Sequence, residues 1–308
     1  MDAFAEPSAT MPPLVIGCLL ITYVVWGTTY LAIRFTLESF PPLFMTGTRF
    51  LCAGLLLTAW LAWRGTPMPS WRLLRNCAVP ALFLLVGGMG LTAIAEQTIS
   101  SGATTVMIGS MPIFALIWSA CFGQRPKWYE YVAIAIGSVG IVVLTAGAEF
   151  RVSTGGVAAL MLAVASWSFG SQLVRRLELP QGAAAFAAEM LIGGVVLMVL
   201  SALRQEPWPA SLVSLGSISA QAGWAWVYLV VAGSLVAFSA YMYLVATVSQ
   251  TLSTSYVYVN PPVALAMGAW LGGELVAPQT LYAVVLILLA LAVLGVGTLR
   301  TARAQAAA

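Results

Sequence analysis

The chain has 308 residues, 61% of them apolar and 7% charged, with a formal net charge of +3. Soluble domains carry about 25% charge, so this chain lacks the polar surface to face water on all sides and reads as an integral membrane protein. Its thirteen Lys and Arg leave no basic footprint of the kind nucleic acid requires.

The first apolar run opens at Leu14, after Asp2 and Glu6. It has neither a basic leader nor a small-residue cleavage site, so the expectation is a retained first helix. A crossing helix needs about 20 apolar residues, because nothing in hydrocarbon can satisfy an open backbone. Ten such runs follow in order, at roughly 14–34, 41–63, 74–96, 102–122, 129–147, 155–175, 183–203, 222–246, 252–273 and 279–299. Pro41-Pro42, Gly65-Thr66-Pro67, Pro180-Gln181-Gly182 and Pro207-Trp208-Pro209 punctuate the connections, as helix ends require. No connection is long enough for a soluble domain.

Lys and Arg near the span ends set the orientation. Arg64, Arg72, Arg75, Arg125, Lys127, Arg175, Arg176, Arg300 and Arg303 fall on the side of the N-terminus, nine against the three of Arg34, Arg151 and Arg204. Both termini are therefore expected in the cytoplasm.

The second half repeats the first. Residues 103–124, ATTVMIGSMPIFALIWSACFGQ, lie over residues 253–274, STSYVYVNPPVALAMGAWLGGE, at an offset of 150: Pro112 meets Pro262, Gly123 meets Gly273 and Gln124 meets Glu274. Earlier in each half the offset is 141, which carries Trp26 to Trp167 and Pro42 to Ala183. Halves of five spans must run in opposite directions, since five is odd. The expected architecture is ten transmembrane helices as two inverted five-helix repeats around a central cavity, with residues 1–150 and 151–303 as the repeats and 304–308 as a tail. Inverted repeats of this kind are typical of secondary transporters.

Within the spans the exceptions to apolarity are informative. Pro112 and Pro262 each fall about ten residues into a span, where proline removes a backbone hydrogen bond. Such a break is tolerated against protein or a wet cavity. Thr104, Thr105 and Ser110 surround the first; Ser253, Thr254, Ser255, Tyr256, Tyr258 and Asn260 precede the second. They fit a substrate path, or a seam of helix contacts, which small and hydroxylated residues also serve. Trp26 and Trp167 lie near the centres of their spans, unlike Trp60, Trp63, Trp71, Trp128 and Trp208 at the ends. A Trp at that depth must house its indole N–H, in a cavity or against a neighbouring helix.

Three ionisable groups lie in or near spans: Arg49, Glu96 and Glu189. Intramembrane charges are candidates for function, including ion coupling. At 1.5 Å per residue, Arg49 lies about 10 Å below one surface and Glu189 about 9 Å above the other. Glu96, near the end of the third span, is therefore the expected partner of Arg49. Glu189 reads as a proton site or a structural group, and Glu274 as an exposed or capping group.

Enzymes are poorly served by this composition. His is absent and Asp2 is the sole Asp, so zinc sites and the usual general bases are missing. Ser–Lys chemistry fails because Lys127, the single lysine, falls in a connection. Cys18, Cys52, Cys77 and Cys121 lie in apolar runs without CxxC spacing and read as small hydrophobes. No phosphate-binding glycine loop is present. No enzyme activity, metal or cofactor is expected.

The blocks WGTTYLAIR (26–34), PPLFMTGTRF (41–50), AEQTISSGATTVMIGSMPIFAL (95–116), SWSFGS (166–171), AYMYL (240–244) and SYVYVNPPVALAMGAWLGGE (255–274) resemble the drug/metabolite transporter superfamily, in particular its EamA-type ten-helix exporters. The resemblance implies a bacterial inner-membrane exporter of amino acids, other metabolites or drug-like compounds. It implies a cavity lined mainly by spans 1, 3, 4, 6, 8 and 9, which makes Trp26, Thr29, Met89, Thr105, Ser110, Pro112, Trp167, Tyr241, Ser255, Tyr258, Asn260 and Pro262 the candidate lining. The partners are then a small-molecule substrate, the lipid bilayer and, if transport is coupled, a proton. Multidrug efflux and a non-transporting scaffold are the alternatives.

Overall fold

The computed structural model describes residues 12–67, 69–123, 127–146, 153–174, 176–180, 182–207, 218–247 and 255–306. Each expected span carries a helix. These are α1 (Pro13–Thr36), α2 (Pro42–Trp63), α3 (Trp71–Ala95), α4 (Ser101–Cys121), α5 (Trp128–Thr145), α6 (Thr154–Val174), α7 (Ala183–Leu203), α8 (Ala220–Tyr228 continuing through Leu229–Val236 and Ala237–Thr247), α9 (Tyr256–Leu271) and α10 (Pro278–Ala306). Eight are long and apolar enough to cross a membrane; α5 is a shorter apolar helix and α9 has 16 residues. No strand occurs among the described residues.

The ends follow local chemistry. Proline starts α2 and α10, where the lost N–H would be unpaired anyway. Ser100 and Ser219 accept hydrogen bonds from Ala103 and Ala222 and so cap α4 and α8. Trp60, Trp63, Trp71 and Trp128 are exposed, as expected of an interfacial belt; Trp208 lies outside the described residues.

Side chains at the helix ends sort the chain into two rims. On one, Arg34 in the last turn of α1 pairs with Glu274 after α9, at 3.4 Å. On the same rim Glu206, after α7, accepts from the backbone N–H groups of Leu43 and Phe44 at the start of α2. Ser39 after α1 accepts from the N–H of Ser219 before α8, and Thr98 after α3 bonds Ser153 before α6. On the other rim Arg72, in the first turn of α3, pairs with Glu178 after α6, and the Arg176 guanidinium covers the ring of Phe122 after α4. Helix α1 thus ends where α6 begins. The halves run antiparallel.

Packing obeys the same exchange. Helix α1 packs on α8 and α9, and α6 packs on α3 and α4; α2 with α7, α5 with α10 and α4 with α9 pair across the two halves. Replacing every helix by the one five later leaves this pattern unchanged. The wide-turn π-helical stretches do likewise, at Ala81–Gly90 in α3 and Leu229–Val236 in α8. Such stretches open the backbone and often mark functional positions.

Candidate functional site

The two halves enclose a central cavity. Helix α1 brings Trp26, Thr29 and Tyr30, and α6 brings Ala163, Val164 and Trp167. Helix α3 adds Gly88, Met89 and Thr92, α4 adds Ile108 and Met111, α8 adds Phe238, and α9 adds Tyr256 and Asn260. Helix α2, outside the expected set, contributes Arg49 and Phe50. About 60 Å³ is open to the centres of water-sized molecules, room for a few waters. Ligand pockets run to roughly 300–1,000 Å³, so the walls must move apart to admit a metabolite.

The repeated tryptophans both line this space, in unlike settings. Trp26 is packed by rings: Tyr256 at 4.7 Å, Tyr241 at 5.1 Å and Phe238 at 5.4 Å between centroids. Trp167 instead lies over Gly88, where an added Cβ would stand 2.5 Å from its Cε3. That glycine makes the room the indole occupies.

Of the expected lining residues, Trp26, Thr29, Met89, Trp167 and Asn260 come together at the cavity. Asn260 is buried and, with its amide oriented to satisfy its neighbours, donates to the carbonyls of Tyr256 (3.1 Å) and Tyr23 (3.2 Å), tying α9 to α1. Tyr241 stands behind Trp26 as part of the aromatic cluster. Ser255 bonds Tyr23 Oη at 2.5 Å. Thr105 and Ser110 do not line the cavity. Both are buried and donate to their own helix, to Ser101 O at 2.7 Å and Met107 O at 2.5 Å, because a helical hydroxyl can satisfy itself against the preceding turn.

Pro262 is a correction. It is exposed on the outside of the bundle while Pro261 is buried, since successive helical residues are turned by about 100°. The side chains of Pro112 and Tyr258, and residues Ser253 and Thr254, lie outside what the structure describes.

The intramembrane charges also depart from expectation. Arg49 is 2% exposed; its Nε donates to Ser234 Oγ at 2.9 Å and its guanidinium lies 5.1 Å from the Phe50 ring centre. Glu96 acts on it electrostatically but makes neither an ion pair nor a hydrogen bond with it. Both Glu96 carboxylate oxygens are buried without a hydrogen bond, as is Arg49 Nη1. Depth along a helix fixes height and not bearing, so two groups at similar heights need not meet. Glu189 is buried in α7, makes no ion pair among the described residues and does not line the cavity.

Glu274 is a carboxylate that does join helices. It accepts from Ser101 N (2.9 Å), Ser101 Oγ (2.9 Å) and Gly102 N (3.2 Å) at the start of α4, an anion on a helix N-terminus. Tyr256 belongs to the polar stretch that the sequence offers as a path or a seam, whereas Tyr30, Phe50, Thr92, Met111 and Phe238 are not expected at the cavity. Helical spacing would have found two of them: Tyr30 is four residues past Trp26 and Thr92 three past Met89.

The EamA-like transporter family matches residues 14–146 and again residues 154–296, on either side of the connection between α5 and α6. The chain is 44% identical to the "Uncharacterized inner membrane transporter YedA" of Escherichia coli over 84% of this chain and 83% of that one. It is 27% identical to the "S-adenosylmethionine/S-adenosylhomocysteine transporter" of Chlamydia muridarum, covering 88% of each. It is 26% identical to the "Probable terminal-alkyne amino-acid exporter" of Streptantibioticus cattleyicolor, covering 83% and 85%. One crystal structure superposes with a TM-score of 0.63 at 19% identity, over 93% of this chain and 98% of that one, a likeness of fold alone. With the family matched once in each half, the chain belongs to the EamA-like transporters and is a membrane transporter.

Proposed function

We propose that this transporter is a secondary exporter of small organic metabolites, with neutral or aromatic amino acids as substrates, working by alternating access. The carrying observation is the cavity between antiparallel halves, with Trp26 and Trp167 presenting flat apolar walls from corresponding helices. Two such halves can exchange shapes and expose one site to either side in turn. The named cargoes of the Chlamydia and Streptantibioticus relatives both carry an α-amino-acid group, which favours amino acids. Efflux of drug-like aromatic compounds is the second reading, favoured by the aromatic lining.

We propose a bacterial inner membrane, as named for the Escherichia coli relative, with both termini in the cytoplasm, an orientation that the nine-against-three distribution of Lys and Arg supports. Its substrates are tested by loading proteoliposomes with radiolabelled amino acids or with dyes, and following release with and without a pH gradient. Release of amino acids alone supports the first reading, release of dyes the second. Acceleration by the gradient identifies a proton as the coupling ion. If neither class leaves faster than from empty vesicles, the export reading fails.

A further inference from the structure

The cavity is lined by one charge that is in no ion pair, although the buried carboxylate of Glu96 acts on it through space. Arg49 is the one charged residue among those described as lining it. The ion pairs among the described residues join Arg34 to Glu274 and Arg72 to Glu178, and neither involves Arg49. Its Nε is committed to Ser234 on α8, while Nη1 is covered by protein and has no partner. Guanidinium keeps its proton in proteins, and removing it from water without a counter-charge costs several kcal/mol. Nη1 therefore keeps an unused donor on a side chain that lines the cavity.

We propose that Arg49 is the anchor for a substrate carboxylate, so that the cavity selects aromatic and other apolar carboxylates, zwitterionic amino acids included. The inference deepens the export reading and rests on it for the direction of movement, though not for binding. Guanidinium meets a carboxylate through paired N–H groups. The bond from Nε to Ser234 turns the fork and leaves Nη1 for the ligand. Trp26, Trp167, Phe50 and Tyr256 then receive the apolar part of the molecule. For an amino acid, the same ring faces suit the ammonium group as cation–π partners. An amine without a carboxylate would instead meet a like charge at Arg49.

The test uses three probes of nearly one shape: L-phenylalanine, 3-phenylpropionate and 2-phenylethylamine. Each is titrated to about 10 mM against the full-length purified protein, a range that detects even millimolar binding. The readout is the ligand-induced rise in melting temperature. The two carboxylates are expected to raise it and the amine to leave it unchanged. Arg49→Gln should weaken 3-phenylpropionate binding by at least about tenfold, and Ser234→Ala, which releases the fork, by a smaller factor. If Arg49→Gln does not fold, Arg49→Lys and the wild-type probe series decide.

The proposal is overturned if the amine binds as well as 3-phenylpropionate, if no probe binds, or if Arg49→Gln binds 3-phenylpropionate like the wild type. Efflux of the same probes from proteoliposomes separates the two claims. Carboxylate-selective binding without efflux sinks the export reading and spares the anchor. Efflux of 2-phenylethylamine that survives Arg49→Gln does the reverse.

Discussion

Helices α4 and α9 hold corresponding places in the two halves, yet they accommodate proline differently. Helix α4 breaks at Ser110 and restarts at Met111, which puts Pro112 in the first turn of a new segment. There a missing N–H costs little. Helix α9 carries Pro261 and Pro262 inside a continuous helix, steadied by the Asn260 amide on the carbonyl of Tyr23. Both then turn alike, at Gly123 (φ 84°) and Gly273 (φ 61°), a left-handed conformation that a side chain would strain. Past that turn they part: Glu274 reaches over the start of α4, and in the first half the sequence has Gln124. The turns persist because they set where a helix can point. The polar side chains beyond them have diverged, so the two rims are chemically unequal.

The largest test of that inequality is Glu274→Ala. It removes a carboxylate only 8% exposed from an ion pair and from three donors at the start of α4. Arg34 is 42% exposed, so the loss comes chiefly from the hydrogen bonds to the buried carboxylate, at about 1.5–3 kcal/mol each. Thermal unfolding in detergent should show it as a pronounced fall in melting temperature, while Gln124→Ala leaves that temperature unchanged. Equal losses for both variants would mean that the rims are matched after all.

Gly88→Ala probes the second asymmetry, between the ring-packed Trp26 and the glycine-backed Trp167. Alanine in a helix ordinarily gains up to about 1 kcal/mol over glycine. Here the new Cβ would stand 2.5 Å from Trp167 Cε3, and overpacking costs about 1–3 kcal/mol. The expected result is a net loss of stability with reduced transport. A stabilised, fully active variant would show that Trp167 moves freely.

The sequence carries the ten helices plainly, since hydrocarbon allows an apolar run no other backbone. It also carries the repeat to the residue at Pro42 and Ala183, where α2 and α7 begin, and it picks out Trp26 and Trp167. What it does not carry is bearing around each helix. Thr105 and Ser110 satisfy themselves within α4, so a hydroxyl near a proline does not mark a wet wall. Pro262 faces outward one residue past buried Pro261. Arg49 bonds Ser234, 185 residues later, and no local pattern announces that meeting.

The proline-bearing helices can be separated by a milder pair of variants. Asn260→Ala removes a donor shared by Tyr23 and Tyr256 carbonyls across two helices, worth about 1–2 kcal/mol. Ser110→Ala removes a bond within one turn, where the loss should be about 0.5 kcal/mol. Chemical denaturation in mixed micelles measures both. A larger loss at Ser110 would place the more important polar tie in the first half.

The smallest expected effect is a gain. The offset of 141 carries Arg34 to Arg175, and the offset of 150 carries Glu274 back to Gln124. The repeat-related pair therefore keeps its cation, Arg175 in the second half, and has lost its anion, at Gln124 in the first. Gln124 and Arg175 both lie outside the described residues, and on the sequence repeat alone Gln124→Glu would offer Arg175 the missing charge. A pair at an exposed rim contributes about 0.2–1 kcal/mol and is screened by salt. The melting temperature should accordingly rise slightly at low ionic strength, and the rise should shrink as salt is added. It should also vanish in the background of Arg175→Gln, because the gain requires both partners. A rise that persists without Arg175 would not come from the pair. A fall would mean that the second rim is not built on the geometry of the first, and that the exchange of halves stops at the glycine turns.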